Sequence, residues 1–137
     1  MIENVSINEV NNAFPNTLIE QLGMRFTLVE EGMVEATMPV DTRTTQPAGI
    51  LHGGATIALA ETVAGFGSYV LCDKHHVSVG MQVNANHLSS PTEGEVHARG
   101  RLIHRGKKSH FWMVDVFSDD GQLVSVVSVT NMIIEKR

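Results

Sequence analysis

Between Gly54 and Leu71 every side chain except Glu61 is apolar or a small neutral polar type, and no period-two alternation runs through the stretch. That length and pattern predict one long, buried α-helix. After it come four runs with strand character, Val77 to His87, Glu95 to Ile103, His110 to Phe117 and Leu123 to Ile134. Turn-forming segments divide them: Pro91-Thr92-Glu93-Gly94, Arg105-Gly106-Lys107-Lys108 and Ser118-Asp119-Asp120-Gly121. Ahead of the helix, Arg25 to Val29 and Val34 to Met38 form a predicted hairpin across Glu30-Glu31-Gly32. Earlier still, Ser6-Ile7-Asn8-Glu9 and Thr17-Leu18-Ile19-Glu20 have the spacing of capping boxes, so two short helices are expected, broken at Pro15 and stopped at Gly23. A helix apolar on nearly every side has to be surrounded, and six antiparallel strands can curl round it if the sheet twists strongly. The expected class is therefore α+β, a single domain over residues 1–137 with a helical segment at 1–23.

Composition narrows the function. A chain of 137 residues can bury roughly two-thirds of the surface its unfolded form exposes, enough for a true core. Its net charge of −5 argues against binding duplex nucleic acid, which needs a basic face. Cys72 is the only cysteine, so no internal disulfide can form, and Met1-Ile2-Glu3-Asn4 lacks a signal-peptide pattern; a cytoplasmic protein is expected. The apolar stretch carries Glu61 at its middle, which lipid would penalise, so no membrane span is expected. His75, His76, His97, His104 and His110 show no zinc-type spacing with cysteine or aspartate, and neither a metal nor a cofactor is expected.

Glu61 is the first candidate for chemistry. The positions three and four residues away are Ile57, Ala58, Ala64 and Gly65, so no helical neighbour can neutralise it. Such a carboxylate either faces water at a helix end, or pairs with a lysine from a strand, or is kept in a site as a base or nucleophile at a cost in stability. The second candidate is the helix start. Gly53 and Gly54 carry no Cβ, so a ligand can approach the unpaired N–H groups there, as an oxyanion hole requires; a tight turn would use the same glycines. His52 is suited either to capping that helix or to catalysis, and Gln46 is an uncharged donor in the preceding loop. Gly53 and Glu61 are eight residues apart in the sequence. On one helix that is about 12 Å, too far for both to touch one carbon. Two such helices packed antiparallel about a two-fold axis would bring the glycine end of one beside Glu61 of the other.

The segment Gln46-Pro47-Ala48-Gly49-Ile50-Leu51-His52-Gly53-Gly54 followed by Leu59-Ala60-Glu61 resembles the hotdog-fold thioesterase superfamily. Met38 to Thr44 and Val83-Asn84-Ala85-Asn86-His87 are also similar to its glutamate-type branch, which includes 4-hydroxybenzoyl-CoA, 1,4-dihydroxy-2-naphthoyl-CoA and enterobactin proofreading thioesterases. The resemblance implies a sheet wrapped round a central helix and hydrolysis of an acyl-CoA, with an aromatic acyl group favoured and a link to menaquinone synthesis. By position it implies Glu61 as the catalytic carboxylate, Gly53 as the oxyanion-hole amide, His52 as the orienting histidine and Gln46 as a carbonyl- or water-contacting donor. Each site would be shared across a homodimer, with two dimers forming a tetramer. His87 would line the pocket, Ser89 and Ser90 would contact the substrate, and Arg105, Lys107 and Lys108 would meet coenzyme A phosphates. One departure is Gly65, where the family often has a hydroxyl residue that holds the attacking water. A hotdog hydratase or dehydratase and a non-catalytic acyl-CoA-binding protein are the alternative functions.

Overall fold

The computed structural model describes residues 6–137. Its elements run α1 (Ile7–Asn11), α2 (Leu18–Gln21), β1 (Arg25–Glu30), β2 (Met33–Pro39), α3 (Gly53–Tyr69), β3 (His76–His87), β4 (Glu95–Arg105), β5 (Ser109–Ser118) and β6 (Leu123–Glu135). The six strands make one antiparallel sheet in the order β1-β2-β4-β5-β6-β3, and α3 lies against its concave face. All six expected strands and the long helix are present, with ends that differ by a residue or two.

Period-two burial explains the sheet. In β4 the inward positions are Val96, Ala98 and Gly100, in β5 His110, Trp112, Val114 and Val116, and in β6 Ser125, Val127, Val129 and Asn131. Their partners on α3 are Ala55, Leu59, Ala60, Val63, Ala64 and Gly67, of which the alanines and the glycine let the helix settle close to the sheet. Gly100 and Gly67 are where the approach is tightest. A Cβ at Gly100 would lie 2.6 Å from Val63, and one at Gly67 would run into the Trp112 ring.

Two expectations are corrected. The helix is not enclosed on every side: Glu61 and Tyr69 are exposed, and Ala58, Thr62, Gly65 and Phe66 beside them are only partly covered. The side chains on this open face are small or aromatic, which a periodicity search reads as burial whether or not a sheet covers them. The second capping box also fails. Thr17 makes no side-chain cap; its hydroxyl donates to Phe14 O at 2.7 Å, while Glu20 accepts from the Asn16 N–H at 3.0 Å. At α1 the Ser6 hydroxyl does accept from the Glu9 N–H. No described helix is long and apolar enough to cross a membrane.

A buried polar cluster ties the C-terminal half of α3 to the sheet. Ser68 Oγ accepts from Trp112 Nε1 at 2.9 Å and from Asn131 Nδ2 at 3.0 Å, and Asn131 Nδ2 also reaches Ala64 O at 3.1 Å. With both lone pairs of Ser68 occupied, its own hydrogen is free to donate to His110 Nδ1, 2.8 Å away. His110 must then be neutral, with its proton on Nε2. Burial, helped by the positive charges of Arg105 and His104, holds the His110 pKa below its ordinary 6.5. In the window between that value and the lowered one, the unfolded chain binds more protons than the native chain, so stability falls as pH drops through it. The thermal midpoint is expected to decline from pH 7 to pH 5, with a flatter decline in His110→Asn. A His110→Asn slope equal to wild type would show that other groups carry the effect.

Candidate active site

The loop at residues 40–52 is folded back on itself before α3 begins. Thr44 is buried and its hydroxyl donates to Pro39 O at 2.7 Å, His52 N–H donates to Thr44 O at 2.8 Å, and Leu51 N–H donates to Pro91 O at 2.9 Å. Gln46 and Ile50 are joined by a backbone bond of 2.9 Å, a reversal in which Gly49 takes φ 83°, the left-handed region open to glycine. The Gln46 side-chain oxygen is occupied by the Ala48 N–H at 2.6 Å, which leaves its NH₂ as a free donor.

At the helix start His52 is the N-cap, and its Nδ1 accepts from the Gly54 N–H at 2.8 Å. An amide can only donate, so neutral His52 carries its proton on Nε2 and presents a donor outward. Ala55 and Thr56 N–H groups both turn to His52 O. Among the described residues, the Gly53 N–H alone in this first turn meets no acceptor. It opens into a cleft of about 280 Å³ lined by Gln46, Ile50, Leu51, His52, Gly53, Thr56, His87, Ser89, Ser90 and Val124.

The two glycines have a reason that spacing could not reveal. A Cβ at Gly53 would sit 2.7 Å from His87 Nε2, and one at Gly54 would sit 2.9 Å from His52 Cε1. Each glycine lies beneath an imidazole, so the space expected for a ligand at the missing Cβ atoms is filled by the two rings. The ligand side of this turn is the open N–H of Gly53.

Glu61 lies two turns further along α3, outside the cleft of its own chain. It is exposed rather than buried, and among the described residues it has no ion-pair or hydrogen-bond partner. Its carboxylate rests on Gly80 of β3, where any Cβ would overlap it. The strand glycine was the available signal, since an isolated glycine in a strand marks a close approach.

The family model described as the thioesterase superfamily matches residues 48–125, a span that holds Gly53, Glu61, Gly80 and His87. The chain belongs to this superfamily. The thioesterase is 33% identical over 130 residues to the 1,4-dihydroxy-2-naphthoyl-CoA hydrolase of Escherichia coli (strain K12), covering 95% of this chain and 96% of that protein. It is 36% identical over 118 residues to the proofreading thioesterase EntH of Klebsiella pneumoniae, covering 86% of each. A crystal structure of a mutant thioesterase from Pseudomonas aeruginosa superimposes with a TM-score of 0.94 at 35% identity, over 98% of this chain and 97% of that one. The fold is the hotdog fold, and the chain is a thioester hydrolase.

Within one chain the thioesterase gathers Gln46, His52, Gly53, His87, Ser89 and Ser90 into the cleft, while Ser89 Oγ spends its hydrogen on Leu123 O at 3.0 Å. It does not bring the basic residues there. Arg105 donates to Leu71 O at 3.2 Å, just past the C-terminal end of α3, and Lys107 and Lys108 project from the neighbouring turn. The 17 residues of α3 put about 25 Å between that end and Gly53. A second, larger cleft of about 910 Å³ opens at that far end between α1, β1 and α3, with Phe14, Phe66 and Tyr69 on its wall. Cys72 also lines it, but burial and the nearby Asp73 push its thiol pKa up, away from the reactive thiolate.

Proposed function

We propose that the enzyme hydrolyses aromatic acyl-CoA thioesters to the free acid and coenzyme A, in sites shared across a homodimer. One observation carries the reading: the unpaired Gly53 N–H opens among side-chain donors of Gln46 and His52, while Glu61 stands on an uncovered helix face about two turns away. The thioester carbonyl oxygen is held by the Gly53 N–H, with the helix N-terminus adding positive potential as the oxygen becomes negative. His52 Nε2–H and the Gln46 amide orient the same carbonyl. Glu61 of the partner subunit attacks the carbonyl carbon or takes the proton of an attacking water. No cofactor is required beyond the coenzyme A of the substrate.

The open face supports the dimer. Glu61, Gly65 and Tyr69 follow one another at i, i+4 spacing, flanked by Ala58, Thr62 and Phe66, and β3 beside them exposes Val79 and Met81. A second copy packed antiparallel would cover this strip and place its own Gly53 near Glu61. Phe66 and Tyr69, stacked with ring centroids 5.9 Å apart, offer a flat apolar surface to an aromatic acyl group. Basic residues at the far end of α3 would then lie near the partner's cleft, where Arg105, Lys107 and Lys108 can meet phosphates. The Escherichia coli relative's substrate, a naphthoyl-CoA, is of the same chemical class.

A panel of aryl-CoA, aliphatic acyl-CoA and carrier-protein thioesters assayed for thiol release tests this. Aryl-CoA substrates are expected to lead by at least about ten-fold in kcat/KM, the order of discrimination an apolar pocket can give. A lead for aliphatic or carrier-bound acyl groups would overturn the aromatic assignment.

A further inference from the structure

His87 and Ser125 form a directly opposed pair in the β3–β6 register, and His87 Nδ1 lies 2.7 Å from Ser125 Oγ. Ser125 is 0% exposed, so water cannot reach its hydroxyl, and among the described residues His87 is its one hydrogen-bond partner. If Nδ1 were the donor, the Ser125 hydrogen would be buried with nothing to accept it, an arrangement proteins avoid. The hydroxyl therefore donates to Nδ1, and neutral His87 carries its proton on Nε2.

That nitrogen lies over Gly53, 2.7 Å from where a Cβ would stand. We propose that Ser125 is a positioning residue that locks His87 in its Nε2–H form, making His87 a further donor in the cleft, besides Gly53, His52 and Gln46, for a substrate oxygen. The assignment rests on the thioester-carbonyl reading of this cleft. It explains a polar residue at an inward position of β6 whose inward neighbours are Val127 and Val129. It also leaves the cleft with donors alone facing the ligand from Gln46, His52, Gly53 and His87, the reverse of what a cation would need. A ligand with a polarised or anionic oxygen fits that lining, either the carbonyl of the thioester or the carboxylate of the acid released from it.

The two rings reach the same tautomer by different means. His52 is set by a backbone amide of its own helix and His87 by a hydroxyl from a neighbouring strand. Changing Ser125 therefore alters one donor and leaves the other in place.

The test uses the full-length oligomer and two readouts. Long-range ¹H–¹⁵N spectra of wild type should show an unprotonated His87 Nδ1, and Ser125→Ala should show both tautomers. Ser125→Ala should lower kcat by about ten-fold, less than the full loss of an oxyanion-hole donor, with KM changed less than two-fold. In a His87→Ala background the Ser125→Ala change should have no further effect on kcat, because its route has been removed. A wild-type His87 protonated on Nδ1 overturns the proposal, and so does an equal loss of kcat from Ser125→Ala in the two backgrounds. Thiol release by wild type is scored separately. If it is absent for every thioester in the panel, the hydrolase reading of the cleft fails, and the tautomer spectra still decide the role of Ser125.

Discussion

Glu61→Gln is expected to lower kcat/KM for an aryl-CoA thioester by about 10²- to 10⁴-fold, the range a positioned carboxylate contributes as base. The amide keeps the size of the side chain but can neither take a proton nor attack carbon. Because Glu61 is exposed and makes no bond in its own chain, the folded structure loses no contact, and the thermal midpoint should stay close to wild type. Circular dichroism melts beside a thiol-release assay would show both. A Glu61→Gln enzyme that keeps wild-type kcat/KM would remove the carboxylate from the mechanism. The same variant addresses the shared site. When it is mixed and reassembled with a Gln46→Ala chain that shows no thiol release on its own, half of the dimers formed at random pair the two variants, and each of these has one intact site out of two. About a quarter of wild-type activity should return if each site draws on both subunits. If every site were built within one chain, none would.

Trp112→Ala is expected to cost about 3–5 kcal/mol, as for large-to-small changes in a packed core. Trp112 is 0% exposed, its ring lies against the notch left by Gly67, and its Nε1–H is one of two donors that fill the lone pairs of Ser68. Truncation removes the ring, opens a void beneath α3 and leaves the Ser68 oxygen half-satisfied. The thermal midpoint should fall by about 10–20 °C in a domain of this size. Trp112→Phe separates the contributions, since it restores most of the volume without the N–H. It should lose about 1–2 kcal/mol, the scale of one buried hydrogen bond and its unsatisfied partner. Chemical denaturation of both variants, compared at equal m-values, measures the difference. A Phe variant as unstable as the Ala variant would assign the stability to the hydrogen bond rather than to packing.

Much of this architecture is legible in the residues. The strands were visible as runs of strand character, with small or apolar side chains at alternate positions such as Val96, Ala98 and Gly100 or Trp112, Val114 and Val116, and the turns because proline, glycine and aspartate sit between those runs. The helix was visible for its length. Its open face was not, because alanine, glycine and phenylalanine on α3 have the same hydropathy whether they face the sheet or lie uncovered on the other side. The site was legible in part. His52, Gly53 and Gln46 lie within one short segment and share a cleft in the fold, but spacing alone left each of them open, and it is the resemblance of that segment to the thioesterase superfamily that implies their roles. Ser125 was invisible because its partner His87 is 38 residues away, a pairing that leaves no mark in local sequence. Gly80 does leave one, as an isolated glycine in a strand, but nothing local says that Glu61 is what approaches it. The cluster of Ser68, His110, Trp112 and Asn131 escaped notice in the same way, as four ordinary residues in three separate elements.

Val127, Val129, Val114 and Val116 beneath α3 offer it no polar anchor, so the notches at Gly67 and Gly100 fix its position by shape alone. Asn131 adds a detent. Its amide engages Ala64 O and Ser68 Oγ together, at 3.1 and 3.0 Å, and a shift of one helical turn in either direction would break both. Gly53 and Glu61 are carried on that same rigid rod, so stopping its travel near one end sets the height of the open Gly53 N–H at the other.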